Sequence, residues 1–100
     1  MKSKSVVLDR LIEIIRKNKS KSPDLSYTSK LFNKGKVKIA NKVGEEATET
    51  ITAFLSQDRK DVAEEAADLI FHLFVLLEHS NVSPEEVFDV LSDRMVDGKK

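Results

Sequence analysis

Residues 69–77 read LIFHLFVLL, an unbroken apolar run apart from His72. It lies inside a longer segment with helical spacing, from about Arg59 to His79. A helix that is apolar around its whole circumference has to be covered on every side. With 100 residues and a hydrophobic fraction of 40%, the chain can build only a modest core. The rest of such a chain can hardly surround that run, so a second copy is the simplest cover. The expectation is a homodimer or higher homo-oligomer with this segment at the subunit interface.

Everything else in the sequence reads as helix or turn. From Ser5 to about Lys19, apolar residues fall at Val7, Leu8, Leu11, Ile12 and Ile15, one stripe among charged residues. The stretch KNKSKSPDLS has no periodicity and predicts a mobile surface loop whose lysines are simply solvated. Ser26 or Asp24 can cap a short helix carrying Tyr27, Leu31 and Phe32 that ends near Lys34-Gly35, with the Tyr27 ring packed in the core or, on the other reading, stacked on a base. A long helix follows from about Lys36 to Ser56, with Ile39, Val43, Ala47, Ile51 and Phe54 as its buried line. Gly44 inside it costs about 1 kcal/mol relative to alanine, which implies a close approach by a substrate or another backbone. Asp58 caps the next helix. Ser83-Pro84-Glu85-Glu86 opens a last one with a capping box, to be buried through Val87, Val90 and Leu91 before the tail DGKK frays. There is no strand pattern, internal repeat or glycine-rich phosphate loop. The fold class is therefore all-α, a single domain over residues 1–100 with about four to five helices in a bundle completed by homodimerisation.

Two acidic clusters sit on the consecutive long helices. Glu45, Glu46 and Glu49 follow Lys42 in KVGEEATE, and Glu65 and Asp68 precede His72 in EEAADLIFH. Spacings of three and four residues place each cluster on one side of its helix. A short connection makes the helices antiparallel, so five carboxylates border one shared space. Hard divalent cations such as Mg²⁺ take oxygen ligands and often carry substrate phosphates, which makes a metal-nucleotide site one reading. The other reading is two solvated faces paired with Lys38, Lys42, Arg59 and Lys60. Asp68 fits that second reading least, because aspartate is a poor residue inside a helix. Lys42 and Lys38 are natural partners for phosphate oxygens or for the acids themselves. His72 lies one turn after Asp68 and is a candidate for substrate binding or for a hydrogen bond within the core. His79 is two turns beyond His72, too far for both to hold one zinc ion.

Seventeen basic and seventeen acidic residues cancel, which gives no basic excess for nucleic acid. No cysteine is present, so disulfides, thiolate zinc sites and cysteine nucleophiles are excluded. The amino terminus is too charged for a signal peptide, and no run approaches the roughly 18 apolar residues of a membrane span. The expectation is a cytoplasmic protein acting on a small molecule, with neither nucleic acid nor membrane as a partner.

The blocks SYT, KVGEEA.E and EAADL..HL, within the stretch Ser26 to Arg94, resemble the phosphoribosyl-ATP pyrophosphatases of histidine biosynthesis. The wider group is the all-α, MazG-type nucleotide pyrophosphatases, whose EExxE and ExxD patterns are met by Glu45, Glu46 and Glu49, then Glu65 and Asp68. The resemblance implies a helical dimer that hydrolyses phosphoribosyl-ATP to phosphoribosyl-AMP and pyrophosphate with Mg²⁺. It implies Glu46, Glu49, Glu65 and Asp68 as metal ligands, with Glu45 as a further ligand or a water-orienting base. It also points to a stand-alone enzyme, since the chain is too short, and lacks the cysteines, for a fused cyclohydrolase. Two other functions stay open from the sequence. One is a general nucleoside triphosphate pyrophosphatase using the same acids, and the other is a non-catalytic helical dimerisation module.

Overall fold

The computed structural model describes residues 6–96 and Gly98. Five α-helices follow one another: α1 (Val6–Asn18), α2 (Tyr27–Lys34), α3 (Lys36–Leu55), α4 (Arg59–His79) and α5 (Pro84–Val96). No strand occurs among the described residues. The expected start at Ser5 and most of the expected frayed tail lie outside them.

Local chemistry accounts for the boundaries. The Ser26 hydroxyl accepts the Ser29 N–H at 3.0 Å and so caps α2. Gly35, at φ 90° and ψ −171°, closes α2 and opens α3 in a backbone region that only glycine enters freely. The Asp58 carboxylate accepts the Asp61 N–H at 3.1 Å to start α4. Ser83 and Glu86 form the reciprocal capping box of α5, at 2.7 and 3.2 Å.

The α3–α4 hairpin is the backbone of the molecule, and α1 and α2 pack against it. The core joins Ile12 and Ile15 of α1, Leu31 of α2, Ile39 of α3, and Phe74 and Val75 of α4. The all-round apolar half of α4 is covered more fully by its own chain than expected. Val75 is 0% exposed and His72 and Phe74 are buried, leaving Ile70 and Leu73 as the open strip. Helix α1 buries Ile12 and Ile15 but not Val7. The segment before α2 is better tied than a solvated loop. Lys19 reaches the Glu78 carboxylate at 3.3 Å and its carbonyl at 3.1 Å, and Arg16 bridges Glu78 and Glu85 at 3.4 and 3.2 Å.

On α3 the buried line is rotated from the expected one. Ile39, Glu46 and Ala53 are buried, whereas Ile51 and Phe54 are exposed. Small Ala53 lets α4 approach on the acidic side, which turns the two larger side chains outward. Stepping about 100° per residue from Ile39, Glu49 falls about 80° to one side and Phe54 about 60° to the other. Helix α5 is held loosely. Phe88 meets Phe74 at 6.4 Å and Pro84 is buried, yet Val90 and Leu91, expected inside, are exposed. The radius of gyration is 14.9 Å, against about 13 Å for a typical compact 100-residue domain.

Candidate active site

Helix α3 presents Lys42, Glu45, Glu46 and Glu49 in little more than two turns, and α4 returns beside it with Asp61, Glu65 and Asp68. One carboxylate oxygen each from Glu46, Glu49 and Glu65 come within 4.8 Å of one another. Glu46 is the innermost, only 7% exposed. Its Oε2 and that of Glu65 are buried without a hydrogen-bond partner among the described residues. Buried carboxylate oxygens left this way cost free energy unless a cation meets them. That is a strong departure from a solvated face, where each oxygen would have water.

The electrostatics agree. The Glu46 carboxyl is held above its ordinary range first by burial, then by the adjoining Glu49 carboxyl and by Asp68, with Lys42 working in the opposite direction. The Lys42 ammonium meets Glu45 Oε2 at 3.2 Å and Glu46 Oε1 at 3.6 Å. Its hydrogen bond to Glu45 raises its pKa, against the effect of burial. A cleft of about 210 Å³ opens beside the three clustered acids, lined by Glu49, Thr52, Ala53, Ser56, Asp61 and Glu65. Another depression follows the outer side of α3 along Asn41, Gly44, Glu45, Thr48 and Glu49. Nothing lies within 4 Å of the position a Gly44 Cβ would take, so no backbone of this chain approaches it.

Several candidates are placed apart from the cluster. Asp68 lies outside the three-oxygen group but near enough to act on Glu46 and on Tyr27. Glu45 is exposed and engaged with Lys42, and Lys38 is exposed one turn before Lys42. His72 is buried with both ring nitrogens occupied. Nδ1 lies 2.7 Å from the Asp68 carbonyl and Nε2 lies 2.9 Å from the Tyr27 hydroxyl. Tyr27, expected in the core, is 50% exposed. Its ring lies 6.0 Å from Phe71 and 5.7 Å from His72. Burial raises its pKa; Lys42 opposes this and Glu46, Asp68 and Glu45 add to it, so its hydroxyl belongs to the same electrostatic site. Asp61 escapes the sequence reading despite a detectable signal, one turn before Glu65. Tyr27 was visible there only as a core or base-stacking ring and as part of the SYT block; its contact with His72 gave no signal because the two are 45 residues apart.

A cluster of three acids with two orphaned oxygens, beside a lysine and an open cleft, suits a divalent cation and an anionic ligand. The profile of phosphoribosyl-ATP pyrophosphohydrolases matches residues 8–95. The chain belongs to the phosphoribosyl-ATP pyrophosphohydrolase family. A phosphoribosyl-ATP pyrophosphatase of Sulfurisphaera tokodaii is 53% identical over 91 residues, which cover 91% of this chain and 97% of that protein. One from Zymomonas mobilis is 52% identical over 81 residues, covering 81% and 76%. The histidine biosynthesis bifunctional protein HisIE of Thermotoga maritima is 45% identical over 84 residues, 84% of this chain and 43% of that longer protein. In this member of the pyrophosphohydrolase family, the paired acidic motifs are thus brought together by the α3–α4 hairpin.

Proposed function

We propose that this protein hydrolyses phosphoribosyl-ATP to phosphoribosyl-AMP and pyrophosphate, the second step of histidine biosynthesis, as a Mg²⁺-dependent cytoplasmic homodimer. The observation that carries the site is the pair of orphaned oxygens, Glu46 Oε2 and Glu65 Oε2, inside a three-carboxylate cluster. The family match supplies the substrate.

Glu46, Glu49 and Glu65 would hold the ion, with Asp68 beside them. Bound there, Mg²⁺ would screen phosphoryl oxygens, polarise phosphorus and lower the pKa of a bound water. Lys42 offers an ammonium to the phosphate oxygens while its contact with Glu45 keeps it charged and aimed. Glu45, exposed beside Lys42, would orient an attacking water and accept its proton. Lys38 extends the positive rim by one turn.

The dimer rests on the apolar side chains this chain leaves in water. Ile51, Phe54 and Leu55 of α3 and Ile70 and Leu73 of α4 are all exposed. Phe54 also lines an open cleft with Val62, Ala63 and Ala66. On α3 these residues lie across the buried line from Glu49, so a second copy can cover them and leave the acids accessible.

The test is incubation with phosphoribosyl-ATP and a panel of ordinary nucleoside triphosphates, with and without Mg²⁺, following products by chromatography. Pyrophosphate and phosphoribosyl-AMP are expected only from phosphoribosyl-ATP and only with the metal. Glu49→Gln should lower turnover at least about a hundredfold, since metal-borne charge stabilisation contributes several kcal/mol, with an unchanged circular dichroism spectrum. Equal turnover of ordinary triphosphates would move the assignment to a general pyrophosphatase, and no release from any substrate would overturn it.

A further inference from the structure

Tyr27 is absent from the acidic motifs, yet it stands at their rim with a hydroxyl whose hydrogen-bonding direction is fixed by its neighbours. A carbonyl oxygen only accepts, so the 2.7 Å contact with the Asp68 carbonyl requires the proton of His72 on Nδ1. In the neutral ring Nε2 is then an acceptor. The Tyr27 O–H must donate to it across their 2.9 Å separation. The hydroxyl's proton is therefore turned toward His72, which leaves its lone pairs free beside a site whose Lys42, Glu46 and Asp68 charges act on it. The ring is steadied by Phe71 at 6.0 Å and remains half exposed, which makes the oxygen reachable from solution.

A fixed acceptor selects among the groups of a nucleotide. Ionised phosphoryl oxygens are themselves acceptors and gain nothing from it. Ribose hydroxyls can donate. In the substrate of the reading given above, on which this inference rests, the group bonded to the α-phosphate is the ATP ribose. Phosphates held at the acids and at Lys42 would bring that sugar next to the rim where Tyr27 stands.

We propose that the Tyr27 oxygen accepts a hydrogen bond from a hydroxyl of the ATP ribose, and that His72 is the positioning residue that turns it to do so. Tyr27 thus contributes to recognition of ribonucleotides, with Asp68 serving the site a second time through its backbone carbonyl.

The experiment compares α,β-methylene-ATP with its 2′,3′-dideoxy form by titration calorimetry in Mg²⁺, using the wild-type protein, Tyr27→Phe, His72→Gln and His72→Asn. One well-made hydrogen bond corresponds to roughly a three- to tenfold preference. The wild type should bind the hydroxylated nucleotide tighter by that factor, and Tyr27→Phe should bind both alike. His72→Gln, whose terminus reaches the Nε2 position, should retain the preference, and His72→Asn, which is too short, should lose it. With phosphoribosyl-ATP, the loss in Tyr27→Phe should fall on KM rather than kcat. A Tyr27→Phe protein that still prefers the hydroxylated nucleotide, or a wild type that prefers neither, overturns the inference. The calorimetric comparison needs no turnover, so a failure to hydrolyse phosphoribosyl-ATP counts against the parent reading alone.

Discussion

Glu46 is where the chain accepts an unfavourable local state for the sake of its site. Its carboxyl is raised by burial and by Glu49 and Asp68. A group whose folded pKa exceeds its unfolded one retains protons that the unfolded chain has lost, so stability falls as pH rises through that interval. In metal-free buffer, Glu46→Gln should therefore melt at the same temperature as the wild type or higher at neutral pH, with its advantage shrinking toward the acid end of the carboxylate range. Thermal melts in chelator across that range check the sign, and Mg²⁺ should narrow the gap by stabilising the wild type. Gly44 gives a simpler expectation. A methyl group added there meets nothing within 4 Å, so Gly44→Ala should stabilise the protein by about 1 kcal/mol through helix propensity, measurable by denaturant titration. The spacing of the acids made their convergence legible in the sequence. That Glu46 is the buried one was not, because the identity of the inward face depends on which side of α3 packs on α4, and small Ala53 decides that.

The caps carry the information about the elements, and they were readable because each is a local hydrogen bond. Ser26, Asp58 and Ser83 all accept the backbone N–H three residues on. Ser26 does more than end a loop, since its hydroxyl also contacts Asn18 and Ser29, and Ser29 donates to the Asn18 carbonyl. That small network ties the end of α1 to the start of α2, the helix that carries Tyr27. Ser26→Ala should cost about 1 kcal/mol, a drop of roughly 4–8 °C in melting temperature for a domain of this size. If Tyr27 grips substrate as proposed, the same variant should weaken nucleotide binding, which calorimetry would register. The ties of Lys19 and Arg16 to Glu78 and Glu85 could not be read from sequence, because they join residues some sixty positions apart.

For the molecule as a whole, the sequence signalled that the apolar half of α4 would carry more surface than one chain can bury, and Ile70 and Leu73 do stay exposed there. What it did not signal is the apolar flank of α3. The run 69–77 is largely covered by α1, α2 and α3, while the outer flank of α3, with Phe54 at 67% exposure, is not. Periodicity cannot separate the two, since it reports which residues share a face and not which neighbour covers it. Phe54→Glu should consequently shift sedimentation from dimer to monomer while leaving the helices visible by circular dichroism. The bare flank has a further consequence. If two copies melt together, dilution favours the separated chains, so thermal midpoints should climb with protein concentration. The heat tolerance of this protein would then be set partly by its abundance and not by its sequence alone.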